Sequence, residues 1–163
     1  MMRSGWGRTG VTGSRGPGGG AAAGRDAYGA GGLREGGVQM KVFVVEDSSA
    51  VRERLVEIIN EINGLCVSGE ADTCAGAVSG ILRAQPDVGI FDIQLAEGSG
   101  IDALAEVKRA LPALRTIVMS NYATPQHMRA AAAAGAEYFL DKSAEFERIG
   151  EILSLMLSER ESG

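Results

Sequence analysis

Cysteine is scarce. Cys66 and Cys74 are the only two, eight residues apart, with no histidine or further cysteine beside them. That excludes a fold built on disulfides and lacks the ligand spacing of a zinc site. Both read as small buried apolar residues, and a reducing, cytoplasmic setting is the expectation. Histidine occurs once; His127 lies in an expected helix with no base-like partner and reads as an exposed residue rather than a phosphohistidine. Basic residues are in deficit, 16 against 21 acids, for a net charge of −5. Such a chain is a poor general binder of polyanions, so direct DNA binding is not expected. No apolar run approaches the ~20 residues of a membrane span. Arg3 has no apolar stretch behind it, so a secretory signal is not expected either.

Glycine is plentiful and unevenly spread, with 14 of the 24 in residues 1–39. This segment also carries Arg3, Arg8, Arg15, Arg25 and Arg34 against Asp26 and Glu35, a net +3, which leaves the rest of the chain at −8. It has one leucine, two valines and no isoleucine or phenylalanine. So little apolar area cannot offset the entropy of ordering, and residues 1–39 are expected to be a disordered tail, with Met40 a candidate for the native start. A domain is expected over 40–158 and a short tail over 159–163.

From Met40 the pattern changes. Lys41–Val45 is a short β-branched apolar run ended by acids, which reads as a buried strand. Ser48 and Ser49 can cap a helix carrying Val51, Leu55, Ile58, Ile59 and Ile62 on one face, with Asn63-Gly64 as its stop. Leu65–Ala71 is a second strand. Thr73 starts a helix through Ala84, and Pro86 follows it. Val88–Phe91 is a third strand ending at Asp92. Ser99, with Asp102 three residues on, opens a third helix in the manner of a capping box, and Pro112 ends it. Arg115–Ser120 is the fourth strand. Thr124-Pro125 begins a helix that runs through the alanines 130–134, which read as close packing or helix propensity, to Gly135. Glu137–Asp141 is the fifth strand, and Ser143 is the expected cap of the last helix. Five strands alternating with five helices imply an α/β fold, a doubly wound parallel sheet covered on both faces. Its site lies at the carboxyl ends of the strands.

The polar residues at those ends are Glu46 and Asp47 after the first strand, Asp92 after the third, Ser120 after the fourth and Lys142 after the fifth. Carboxylates gathered in one place repel, and a hard divalent cation such as Mg²⁺ resolves that. A lysine and a hydroxyl beside them suit phosphoryl oxygens, and carboxylates serve as nucleophiles that form aspartyl-phosphates.

Glu46-Asp47, Asp92, Ser120 and Lys142, separated by 45, 28 and 22 residues counted from Asp47, resemble the receiver domain of two-component response regulators. Supporting stretches are Val42–Ser48, Phe91–Leu95 with Gly100, and Ala134–Lys142. The resemblance implies a flavodoxin-like fold of strand order 2-1-3-4-5. It implies that Asp92 accepts a phosphoryl group from a histidine kinase or phosphotransfer protein. Asp47 would ligate Mg²⁺, Glu46 would act beside it or through water, Asp92 would add a ligand, and Gln94 would lend its backbone carbonyl. Lys142 would pair with the phosphoryl oxygens, while Ser120 and Phe139 would form the switch. A signal would leave through the fourth helix, fifth strand and fifth helix to a protein partner, from a monomer or a phosphorylation-dependent dimer. The unit is expected to be a stand-alone receiver and not an enzyme beyond its own phosphorylation and dephosphorylation. Ala96, Asn121 and Ser143 depart from residues common in the family; proline is usual at the first and last of these and a smaller residue at the second.

Three rival readings fit the same fold. A flavin- or nucleotide-binding module would need a glycine-rich loop where Glu46-Asp47-Ser48 stands. A phosphatase using Asp92 would need a second acid where Gln94 stands. An unphosphorylated interaction scaffold would have no use for the reacting groups.

Overall fold

The computed structural model describes residues 39–162. Of the expected tail only Gln39 is among the described residues, whereas the candidate start, Met40, is the first residue of the first strand. Strand β1 spans Met40–Val45, β2 Leu65–Ala71, β3 Val88–Asp92, β4 Arg115–Ser120 and β5 Tyr138–Asp141. Helix α1 spans Ser49–Asn60, α2 Cys74–Ala84, α3 Gly100–Ala110, α4 Pro125–Ala134, α5 Lys142–Glu145 and α6 Arg148–Ser162. The sheet is wholly parallel in the order β2-β1-β3-β4-β5, as expected.

Strand alternation divides the apolar residues between two cores. Val42, Val44, Val88, Ile90, Ile117, Met119 and Leu140 face Leu55 and Ile59 of α1 and Ile149, Leu153 and Met156 of α6. Phe43, Val45, Phe91 and Val118 face Ala77 and Ile81 of α2, Leu104 and Val107 of α3 and Ala131 of α4. Strands buried on both faces are near-continuous apolar runs, which is why β1 and β3 stand out in the sequence.

Local chemistry sets the helix ends. Ser48, Thr73, Ser99 and Thr124 each accept a backbone N–H of the first turn, at Val51, Gly76, Ile101 and His127. Gly135 ends α4 at a φ of 113°, a conformation that side chains rarely adopt.

One irregularity interrupts the sheet. Val42 pairs with Val67 but Phe43 pairs with Gly69, so Ser68 is an extra residue in β2. Paired residues of parallel strands share a face. The bulge therefore turns Glu70, the partner of Val44, toward the α1 side.

Several expectations are corrected. Helix α1 stops at Asn60, before Asn63-Gly64; the chain continues in turns, with Ile62 N–H donating to the Ile59 carbonyl at 3.1 Å. The Asp102 half of the capping box is not formed; Ser99 caps the helix alone, its hydroxyl accepting the Ile101 N–H at 3.1 Å. Strand β5 begins at Tyr138, and the Glu137 N–H before it is shared between the carbonyl and the hydroxyl of Thr116, each at 3.1 Å. Ser143 does not cap the last helix. Asp141 caps the four-residue α5 instead, accepting from the Ser143 N–H at 2.9 Å and its hydroxyl at 2.6 Å, while the Asp141 N–H donates to Glu145 at 2.9 Å. The Ser143 hydroxyl bond leads the contacts that hold the Asp141 carboxyl below its ordinary range. The chain has six helices among the described residues rather than five. Finally, α6 continues to Ser162, where a tail from 159 was expected. Its last turns are held by Glu159 to Arg115 at 2.9 Å and Arg160 to Asp87 at 2.7 Å.

Candidate functional site

The carboxyl edge of the sheet brings β1, β3, β4 and β5 to one place, and each delivers a polar group. Asp92 ends β3 and is 6% exposed; Glu46 follows β1 and is 1% exposed. Lys142, the first residue of α5, spans the two, with Nζ 2.9 Å from Glu46 Oε1 and 3.2 Å from Asp92 Oδ2. Carboxylate oxygens of Glu46, Asp47 and Asp92 lie within 4.8 Å of one another. Asp47 is the exposed member of this set. Hard oxygen donors, crowded and open to solvent on one side, form a donor set that fits Mg²⁺.

Electrostatics follow from burial. Burial pushes the Glu46 carboxyl up to about 7, against the pull of Lys142 and of the Ser48 N–H, which donates to Oε2 at 3.1 Å. Burial also works against the Lys142 ammonium, but the bonds and charges of Glu46 and Asp92 outweigh it and hold the lysine above its ordinary value. The site is thus a tight cation–carboxylate cluster, short of positive charge when no metal is present.

Ser120 ends β4, one residue beyond Met119, which pairs with Asp92 in the sheet. It is 1% exposed, and its hydroxyl accepts the Tyr122 N–H at 2.9 Å, so the oxygen is engaged with its own loop. Phe139 lies on β5 opposite Val118 and is half-buried against the second core. Gln94 is exposed, two residues past Asp92, with its backbone in the bridge to Ser99. The structure therefore brings Glu46, Asp47, Asp92 and Lys142 into one cluster, with Ser120 at the end of the adjoining strand. Phe139 sits on the neighbouring strand β5.

The loop after Asp92 is anchored on two sides. Gly100 at the start of α3 is buried, and its N–H donates to the Ile93 carbonyl at 2.8 Å. Toward α2, the Ala96 N–H donates to the Asp72 carbonyl at 3.1 Å and the Cys74 N–H to the Glu97 carbonyl at 2.8 Å, a small ladder between the two loops.

Arg52 and Glu70 were not singled out from the sequence. Arg52 Nε donates to Glu70 Oε1 at 2.9 Å, and Nη1 donates to the Glu46 carbonyl at 2.7 Å. A signal was available: Arg52 is the fourth residue of α1, close to the positive end of the helix dipole, where a cation needs an offsetting partner.

The remaining singled-out residues have structural places. Cys66 is buried and Cys74 half-buried, and burial pushes both thiols up. His127 is half-buried rather than exposed, with Nδ1 2.8 Å from Thr124 Oγ1. Of the alanines 130–134 only Ala131 is buried, so the run reflects helix propensity with one packing contact. The Lys142–Ser143 bond is trans, as are all peptide bonds among the described residues.

Comparison with known proteins finds relatives by sequence and by fold. The response regulator receiver domain profile matches residues 42–154. The DNA-binding transcriptional activator DevR/DosR of Mycobacterium tuberculosis is 34% identical over 103 residues, covering 63% of this chain and 48% of that protein. The chemotaxis protein CheY of Thermotoga maritima is 32% identical over 114 residues, covering 70% of this chain and 94% of CheY. The solved response regulator domain of Thermotoga maritima CheB superposes with a TM-score of 0.65 at 27% identity, covering 74% of this chain and 95% of that one. The chain spans about half the length of DevR/DosR. No helix among the described residues is long and apolar enough to cross a membrane.

Proposed function

Because the chain belongs to the response regulator receiver family, which takes input from histidine kinases and passes it to downstream effectors, we propose that Asp92 is its phosphoryl acceptor. The observation that carries this reading is Lys142 standing between Glu46 at 2.9 Å and Asp92 at 3.2 Å, beside the Asp47 carboxylate. An Asp92 carboxylate oxygen attacks the phosphorus of a phosphohistidine. The P–N bond breaks, its electron pair stays on the imidazole nitrogen, and an acyl phosphate remains on Asp92. Lys142 exchanges carboxylate partners for phosphoryl oxygens as charge arrives. Glu46, Asp47, Asp92 and the Gln94 carbonyl would hold Mg²⁺, which supplies charge neutralisation at the phosphoryl oxygens.

The switch is assigned to Ser120 and Phe139. The Ser120 hydroxyl leaves the Tyr122 N–H for a phosphoryl oxygen, and the Phe139 ring moves into the space vacated. The readout face is α4, β5 and α6, where Tyr122 just before α4 and Met128 on α4 are 52% and 45% exposed. Phosphorylation biases a two-state equilibrium of that face toward binding a protein effector. The domain is a cytoplasmic signalling module without turnover chemistry beyond its own phosphorylation and hydrolysis. Its acidic balance argues against direct contact with DNA.

The test is intact-mass measurement after incubation with acetyl phosphate and MgCl₂, followed by site mapping. One phosphoryl increment is expected, absent in Asp92→Asn and after chelation of Mg²⁺. A stable acyl phosphate on any other residue, or full labelling in excess chelator, would falsify the assignment.

A further inference from the structure

The exposed Asp47 carboxylate has no hydrogen-bond partner among the described residues, so the part of its position that the fold fixes is the backbone from which it starts. That backbone is held on two sides. The Glu46 N–H donates to the Ala71 carbonyl of β2 at 2.9 Å. The Glu46 carbonyl, part of the same peptide unit as the Asp47 N–H, accepts from Arg52 Nη1 at 2.7 Å. Arg52 is itself oriented through Nε by Glu70 Oε1 at 2.9 Å. Both side chains are half-buried, at 23% and 16% exposure, so the pair is not a loose surface contact.

We propose that Arg52, aimed by Glu70, is a positioning residue for the Mg²⁺ site. It locks the Glu46–Asp47 peptide and thereby the metal-binding carboxylate that follows it. The proposal rests on the metal reading of Glu46, Asp47 and Asp92 given above. Three features converge on it. A cation in the opening turns of α1 is unfavourable unless its charge has a partner. The Ser68 bulge turns Glu70 to the face where that partner is needed. The guanidinium fork reaches a carboxylate and a carbonyl at once, which a point-charge ammonium cannot do in the same geometry.

Calorimetric titration of the full chain with MgCl₂ at pH 8, below its melting temperature, tests this. Arg52→Met is expected to weaken Mg²⁺ binding about 10-fold, the usual scale for losing an outer-shell partner of a metal ligand. Arg52→Lys keeps the charge and is expected to fall between wild type and Arg52→Met; it carries the test if Arg52→Met does not fold. A merely structural tie between α1 and β2 would lower the melting temperature and leave the Mg²⁺ dissociation constant alone. Binding within twofold of wild type in both variants overturns the proposal. Absence of Mg²⁺ binding in wild type would overturn the metal reading and this proposal with it, whereas normal wild-type binding with unchanged variants overturns this proposal alone.

Discussion

Gly100 offers a stringent test of how the site is built, because the space for a side chain there is taken by the backbone of the acceptor itself. A Cβ added at Gly100 would overlap the carbonyl oxygen of Asp92, lie 2.8 Å from its carbonyl carbon and 3.2 Å from Ile93 Cα. These are main-chain atoms, so no rotamer change relieves the clash. Overpacking of this kind costs about 1–3 kcal/mol, and a rigid neighbour places it at the upper end. Replacing a helical glycine by alanine returns about 1 kcal/mol. The net loss for Gly100→Ala is then about 2 kcal/mol, or roughly 10 °C in melting temperature for a domain of this size. Displacing Asp92 by even part of an ångström should slow acetyl phosphate labelling by about 10- to 100-fold. Gly150 of α6 is the internal control: an added Cβ there meets only Ile58 Cγ2 at 3.6 Å, an ordinary contact. Gly150→Ala should gain about 0.5–1 kcal/mol and label normally. Thermal unfolding followed by circular dichroism, with labelling followed by intact mass, reads both quantities. If Gly100→Ala melts and labels like Gly150→Ala, the close approach of α3 to the acceptor strand is not what fixes the site.

Glu46 supplies a pH prediction. Its folded-state value of about 7 lies above the ordinary 4.5, so the folded chain binds the extra proton and metal-free stability falls as pH rises from about 4.5 through 7. Melting in chelator at pH 5 and pH 7.5 should show that fall, Glu46→Gln should flatten it, and a wild-type curve as flat as the variant's would contradict the assignment. Lys142→Met leaves Glu46 and Asp92 facing each other without their cation. A loss of about 3 kcal/mol is expected, the low end for breaking a buried pair because Glu46 can take up a proton, together with slower labelling; a melting temperature within a degree of wild type would refute the cluster's role. Ser120→Ala should still label at Asp92 yet lose the change at the α4–β5–α6 face, read as amide shifts on phosphorylation. Full propagation in that variant would rule out the hydroxyl as the switch.

Strands and helix starts were legible because their causes are local. A parallel strand buried on both faces writes itself as Lys41–Val45 or Val88–Phe91, and a hydroxyl before an amphipathic run writes itself as Ser48, Thr73, Ser99 or Thr124. The acid, hydroxyl and lysine at the strand ends were legible for the same reason, since the fold carries strand ends to one edge. Part of what escaped is a contest between close neighbours, and the rest depends on partners far along the chain. Ser143 is a good cap in isolation and loses to Asp141 only because Glu145 returns to the Asp141 N–H. The last turns of α6 hold through Arg115 and Asp87, neither of which is near them in sequence. The offset at Ser68 exists only relative to β1, and with it the meeting of Glu70 and Arg52.

The ladder joining Ala96 to Asp72 and Cys74 to Glu97 bears on how such a chain can change over evolutionary time. Loops are where insertions are ordinarily tolerated, since they run over the surface with free length. Here the loop that follows the acceptor and the loop that opens α2 are tied rung to rung. One residue gained or lost in either shifts the rungs and tugs on the strand end that carries Asp92. The two lengths should therefore drift together or not at all, leaving variation in side chains such as Ala96 as the freer route to altering the mouth of the site.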